Sequence, residues 1–111
     1  MNEISAENFF TVCLQAGTVV RAEAFPEARK PAIKLWIDFG ESGIKTSSAQ
    51  LTAAYQPESL LNTQVVCVTN LPPRRIAGFI SQVLVTGFTN AQGAIILARP
   101  ELPVPNGSRL H

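Results

Sequence analysis

Seven glycines and eight prolines punctuate this chain, and their spacing constrains its fold more than any other feature. Proline lacks the N–H that a helix or ladder needs, and glycine weakens the interior of either. Gly40, Gly43, Pro57, Pro72, Pro73, Gly78, Gly87, Gly93, Pro100 and Pro103 cut the sequence into short apolar runs. Short strands separated by frequent turns describe a small barrel or sandwich. The 111 residues suffice for one such domain, spanning residues 1–111.

The segment from Ile33 to Phe39 alternates most clearly. Ile33, Leu35, Ile37 and Phe39 point one way, and Lys34, Trp36 and Asp38 the other, as in a half-buried strand. Ile44 to Thr46 reads as its hairpin partner across Gly40-Glu41-Ser42-Gly43. Thr11 to Ala24 reads as a long first strand bent at Gly17, followed by a turn at Pro26 to Lys30. Ala49 to Tyr55 has helical composition, and Pro57 to Leu61 starts a second helical turn with proline near its first position. Val65 to Val68 is a continuous apolar run, the pattern of a strand buried on both faces. Arg75 to Ala77, Val83 to Val85 and Ala94 to Ala98 are further strands. The proline-rich tail Arg99 to His111 is expected to run extended. About five strands with one or two short helices and terminal extensions predict an all-β, five-stranded OB-fold Greek-key barrel. An SH3-like barrel fits the same pattern.

Composition narrows the function. Nine Lys and Arg oppose eight Asp and Glu, a net charge of +1, so any nucleic-acid site must be a local patch. Charged residues make up 15% against roughly 25% in an average domain. A short chain with so few charges leaves apolar surface uncovered, which predicts an oligomer, most simply a symmetric dimer. No run reaches the roughly 18 apolar residues that span a bilayer. The first seven residues carry two acids and no base, unlike a secretory leader, so the expected location is the cytoplasm. Cys13 and Cys67 sit in apolar segments and read as buried free thiols. His111 is the one histidine, which excludes the usual zinc ligand sets and leaves no held base for nucleophilic catalysis. No cofactor, metal or enzymatic activity is expected, and the chain reads as a binding protein.

Three features carry binding chemistry. In Asn70-Leu71-Pro72-Pro73-Arg74-Arg75 two prolines stiffen the backbone before two guanidiniums, which grip phosphate and stack on bases. The same residues also suit a solvated loop. Lys34 and Trp36 share one strand face, the aromatic-plus-cation pairing that holds single-stranded nucleic acid. Trp36 equally suits a core or subunit interface. Thr46-Ser47-Ser48-Ala49-Gln50 offers hydroxyls and an amide for helix capping or for contact with bases and the ribose 2′-hydroxyl.

Four segments then occur in order: Phe25 to Arg29, Lys34 to Gly40, Ile44 to Gln50 and Asn70 to Gly78. Together they resemble the tRNA-binding-domain family, which includes CsaA-type secretion chaperones and the C-terminal domain of bacterial methionyl-tRNA synthetases. The likeness runs from about residue 8 to the ending Pro103-Val104-Pro105-Asn106-Gly107. Phe25, Gln15 and Leu84 stand where synthetase-type members often carry His, Arg and Met, which favours the CsaA branch. The resemblance implies an OB fold and recognition of tRNA by shape and phosphate contact, without catalysis. It implies a homodimer joined through about residues 1–12 and 99–111, with Phe9, Phe10, Leu102, Val104 and Pro105 at the interface. It implies contacts from Lys34, Ser47, Ser48, Gln50, Asn70, Arg74, Arg75, Ser81 and Leu84, and Trp36 and Lys45 complete the candidate surface. It further implies binding of unfolded or precursor proteins and of the export motor ATPase, for which the same surface can serve.

Overall fold

The computed structural model describes every residue from Met1 to His111. A single helical turn, α1 (Ala6–Phe9), opens the chain, capped where the Asn8 N–H donates to the Ser5 hydroxyl at 3.0 Å. Strands β1 (Leu14–Phe25), β2 (Ala32–Asp38) and β3 (Ile44–Ala49) follow, with a 3-10 turn at Gly40–Ser42 inside the second hairpin. After α2 (Pro57–Leu60), with Pro57 as its first residue, come β4 (Gln64–Val68), β5 (Arg74–Ile76), β6 (Phe79–Ser81), β7 (Leu84–Val85), β8 (Gly87–Thr89) and β9 (Ile95–Leu97). Five strands form one curled antiparallel sheet in the order β3-β2-β1-β4-β7. Two ribbons, β5-β6 and β8-β9, complete an all-β half-barrel of OB type.

The alternation of β2 builds the core. Ile33, Leu35, Ile37 and Phe39 are buried and pack with Val19, Leu51, Leu60, Val65, Cys67, Val83 and Leu97. Burying side chains of this size stabilises the fold by about 1.5–3 kcal/mol each before conformational entropy is counted. Gly17 lies against this cluster. A Cβ there would stand 2.6 Å from Ile37 Cγ2 and 2.8 Å from Phe39 Cε1, so only glycine lets the two strands approach.

Several expectations need correction. The first strand begins at Leu14, not Thr11. Its irregularity lies between Val19 and Arg21, where Val20 is the extra residue of a bulge, so Gly17 serves packing and not the bend. Ala49 to Tyr55 is no helix. Ala49 ends β3, and one turn closes from the Tyr55 N–H to the Leu51 carbonyl at 3.0 Å. Pairing with β2 overrides the helical composition there. β4 is buried mainly on one face, since Val66 is only half-buried beside Val65 and Cys67. The chain also has strands β6 and β8, which composition alone did not mark.

Two features hold the half-barrel closed. β3 lies at the sheet edge, and the segment after β6 covers it. The backbone N–H groups of Gln82 and Val83 donate to the Thr46 carbonyl at 2.8 and 3.2 Å. The Gln82 amide oxygen accepts from the Thr46 N–H at 2.9 Å, and the Ser81 hydroxyl accepts from the Ser48 N–H at 3.0 Å. Side chains thus replace a partner strand along this edge. At the other end the tail runs beside the start of β1. Ala16 and Gly107 to Ser108 exchange backbone bonds of 2.7 and 2.9 Å, and Asn106 accepts from Thr18 and Gln64 at 2.7 and 3.2 Å. Gly107 has φ +91°, and a Cβ there would meet the Phe39 carbonyl oxygen at 2.6 Å, so the tail docks only as glycine.

Gln82→Ala is expected to destabilise the fold by about 1 kcal/mol. Gln82→Glu, which keeps an acceptor for Thr46, should cost clearly less. Urea unfolding of both variants checks this. The buried Cys67 thiol gives a pH signature, because burial pushes its pKa from 9.0 up to about 12. Below pH 9 the thiol is protonated folded and unfolded alike, and its burial carries no charge penalty. From about pH 9 towards 12 only the unfolded chain loses the proton, so stability falls by about 1.4 kcal/mol per pH unit from this group. Cys67→Ala should lower stability at neutral pH yet flatten the loss above pH 9, measured by urea melts at several pH values.

Candidate functional site

The turn after β1 and the ribbon β5-β6 build the walls of a groove of about 510 Å³. Pro26 ends the ladder of β1, and the turn carries Arg29 and Lys30 outward before β2 resumes at Ala32. Ala77 and Gly78 have φ +47° and +83°, the paired left-handed conformations of a tight two-residue hairpin. That turn sets the register Arg74↔Ser81, Arg75↔Ile80 and Ile76↔Phe79. Alternation then turns Arg74 and Ile76 to one side of the ribbon, while Arg75 shares the other side with Ile80. Arg74 and Ile76 accordingly line the groove with Arg29 and Lys30, and Arg75 does not.

Ser48 and Gln50, at the end of β3, form a second wall, and Leu84 and Val85 of β7 a third. Ala32, Ala49, Leu51 and Ile95 give the floor its apolar character. Of the residues expected from sequence, the groove gathers Ser48, Gln50, Arg74 and Leu84. Leu84 is 53% exposed there, an unusual position for a leucine inside a concave surface.

The other expected residues lie elsewhere. Lys34 and Trp36 stand on the face of β2 opposite the core. The Lys34 ammonium sits 4.6 Å from the Phe25 ring centroid and 5.2 Å from that of Phe79. Trp36 meets Phe79 edge to face at 5.7 Å, and the Arg21 guanidinium lies 4.3 Å over the indole. Arg21 is also paired with Glu23. These stacked cations and rings fix the ribbon against β2, so Trp36 already has one face covered. Ser47 is 1% exposed and donates to the Val83 carbonyl at 2.8 Å. Ser81 is the partner of the Ser48 N–H described above. Asn70 accepts from the Cys13 N–H at 2.9 Å and donates to the Thr11 carbonyl at 2.7 Å, tying the segment before β1 to the end of β4. Lys45 is half-buried on β3, opposite Ile37.

Arg29, Lys30 and Phe79 were not singled out by the sequence reading. Two adjacent cations in a turn were a visible signal for the first pair. Phe79 was hidden because its strand was not recognised.

A second surface joins the two ends of the chain. Phe9 and Phe10 are exposed, with their rings edge to face at 5.0 Å. The Arg109 guanidinium donates to the Phe10 carbonyl at 2.6 Å, which brings the tail beside them. Leu102 is 73% exposed, and Val104, Pro105 and Leu110 are exposed as well. No group of three or more His, Cys, Asp or Glu residues is placed to hold a metal ion. No helix is long and apolar enough to cross a membrane.

Comparison with known proteins agrees with this geometry. The family model described as "Putative tRNA binding domain" matches residues 14–109. The methionine–tRNA ligase of Methanococcoides burtonii is 32% identical over 108 residues, and methionine–tRNA ligase 1 of Bacillus anthracis 34% over 109 residues. Each alignment covers 97% of this chain but only 16% of the ligase, so the chain spans a small part of these relatives. Among solved structures, the chaperone CsaA of Bacillus anthracis superposes with a TM-score of 0.93 at 49% identity, covering 99% of this chain and 100% of its own. The CsaA chaperone protein of Picrophilus torridus gives 0.90 at 37% identity, covering 98% and 100%. The MetRS related protein of Pyrococcus horikoshii gives 0.88 at 27%, covering both chains fully. From the first residue of β1 to the tail that docks beside it, this chain belongs to the tRNA-binding-domain family.

Proposed function

We propose that the chain is a non-catalytic tRNA-binding module that acts as a homodimer and grips RNA by shape and phosphate contact. The observation that carries this reading is the family match over residues 14–109. The groove supports it. Arg29, Lys30 and Arg74 line it with Ser48 and Gln50, and no carboxylate lies among the lining residues. Cations concentrated in one concavity attract a polyanion even though the net charge is only +1. Arg75 extends the basic surface over the ribbon edge. Lys34 and Lys45 add charge on the neighbouring strands, while Ser47, Ser81 and Asn70 hold this framework in shape. The exposed apolar residues of the two chain ends support a dimer joined there, which would place two grooves on one particle.

A second reading is a chaperone that binds unfolded or precursor proteins, with the export ATPase among its partners. Its support is the 49% identity, across nearly the full chain, to a structure titled a chaperone. Exposed Phe88, Ile80 and Leu84 supply apolar surface for it.

Bulk tRNA should bind at low salt, and log affinity should fall with log salt by roughly 0.7–0.9 per phosphate neutralised. Arg74→Gln with Arg75→Gln should lower that slope by roughly 1.5. An unchanged slope would remove these two residues from the interface, and absence of binding at low salt would remove the reading. For the dimer, Leu102→Asp with Val104→Asp should halve the mass seen by light scattering and weaken tRNA binding at least about tenfold through lost avidity. For the second reading, the chain should suppress aggregation of a denatured protein, and tRNA should compete if the surface is shared.

A further inference from the structure

We infer that the groove takes one or two unpaired nucleotides of an RNA, with a base on its apolar floor and the flanking phosphates on Arg29, Lys30 and Arg74. This inference rests on the tRNA-binding reading and names the part of the RNA that the groove selects.

The argument starts from the lining. A site for phosphates alone needs cations and backbone donors and no apolar floor. Here eight of the fourteen lining residues are hydrophobic, and the three cations stand among them. The volume of about 510 Å³ falls in the range of small-molecule sites, which suits a base with its sugar and is far too small for a paired helix. In a paired helix the bases are stacked inside and present no flat face to such a floor. An unpaired base offers one, together with hydrogen-bonding edges.

The polar groups match that ligand. Ser48 is held through its backbone N–H, which accepts no duty from its own hydroxyl. The Gln50 amide stands exposed at the same wall. A hydroxyl and an amide beside an apolar floor are what a base edge or a ribose 2′-hydroxyl requires. Exposed Leu84 then has a use as the surface against which the base lies. An extended peptide also fits an apolar groove, but three cations without a carboxylate favour a ligand that brings its own negative charge.

Binding of a labelled single-stranded RNA octamer to the full chain tests this, with bulk tRNA measured beside it. The octamer should bind at least about tenfold more tightly than a blunt duplex of the same sequence, and an abasic octamer should bind at least about tenfold more weakly. Leu84→Glu should weaken the octamer by a similar factor and leave the abasic chain nearly unchanged. Arg74→Gln should lower the octamer's salt slope by about 0.7. Equal binding of octamer and duplex, or of octamer and abasic chain, overturns the inference. If tRNA still binds in that case, the tRNA-binding reading stands; if nothing binds, both fall. Displacement of the octamer by an unfolded polypeptide at lower concentration than by tRNA assigns the groove to protein and also overturns it. Should Leu84→Glu fail to fold, the abasic comparison on the unaltered chain decides alone.

Discussion

The two faces of β2 organise this molecule. One face, Ile33-Leu35-Ile37-Phe39, is pressed against β1 so closely that position 17 admits no side chain. The other face carries Lys34 and Trp36, which hold the β5-β6 ribbon through Phe79. The ribbon in turn places Arg74 over the groove. Loss of the tight β1–β2 contact would therefore disturb the core and the basic rim together, although the two lie on opposite sides of the strand.

Closure is a separate problem, and the chain solves it with side chains. A curled sheet of five strands leaves β3 with unpaired backbone groups. Gln82 and Ser81 satisfy two of them without a regular strand, so the edge does not invite another chain to pair. This also explains why the last wall of the groove is short. β7 has only two residues, and Leu84 and Val85 reach the groove directly where a longer strand would have paired with β3. The tail works alike at the opposite end, where Asn106 and Gly107 lock it onto β1 and leave Leu102 and Val104 outside.

Legibility in the sequence followed the range of the interaction. The β2 alternation, the Pro57 helix start and the extended tail depend on neighbours within a few positions, and they read directly. Ala49 to Tyr55 misled because its composition is helical while its fate depends on pairing with β2 and on burial of Leu51. β6 was passed over because Ala77 occupies a left-handed position usually marked by Gly or Asn. At the site, the motif residues were visible, but their division was not. Ser47 turned inward to Val83, Asn70 was taken up by Cys13 and Thr11, and adjacent Arg74 and Arg75 separated to opposite sides of one strand.

By itself the sequence determined the fold class, the core face of β2 and the family to which the chain belongs. Each of these rests on periodicity or on motifs carried in short contiguous stretches. Only the tertiary structure decided which cations share a concavity. Arg29 and Arg74 lie far apart along the chain, and their meeting depends on a bulge at Val20, a tight turn at Ala77-Gly78 and a sheet edge closed by Gln82. Local residue preferences do not encode distances between such remote positions; the packing of strands on one another does.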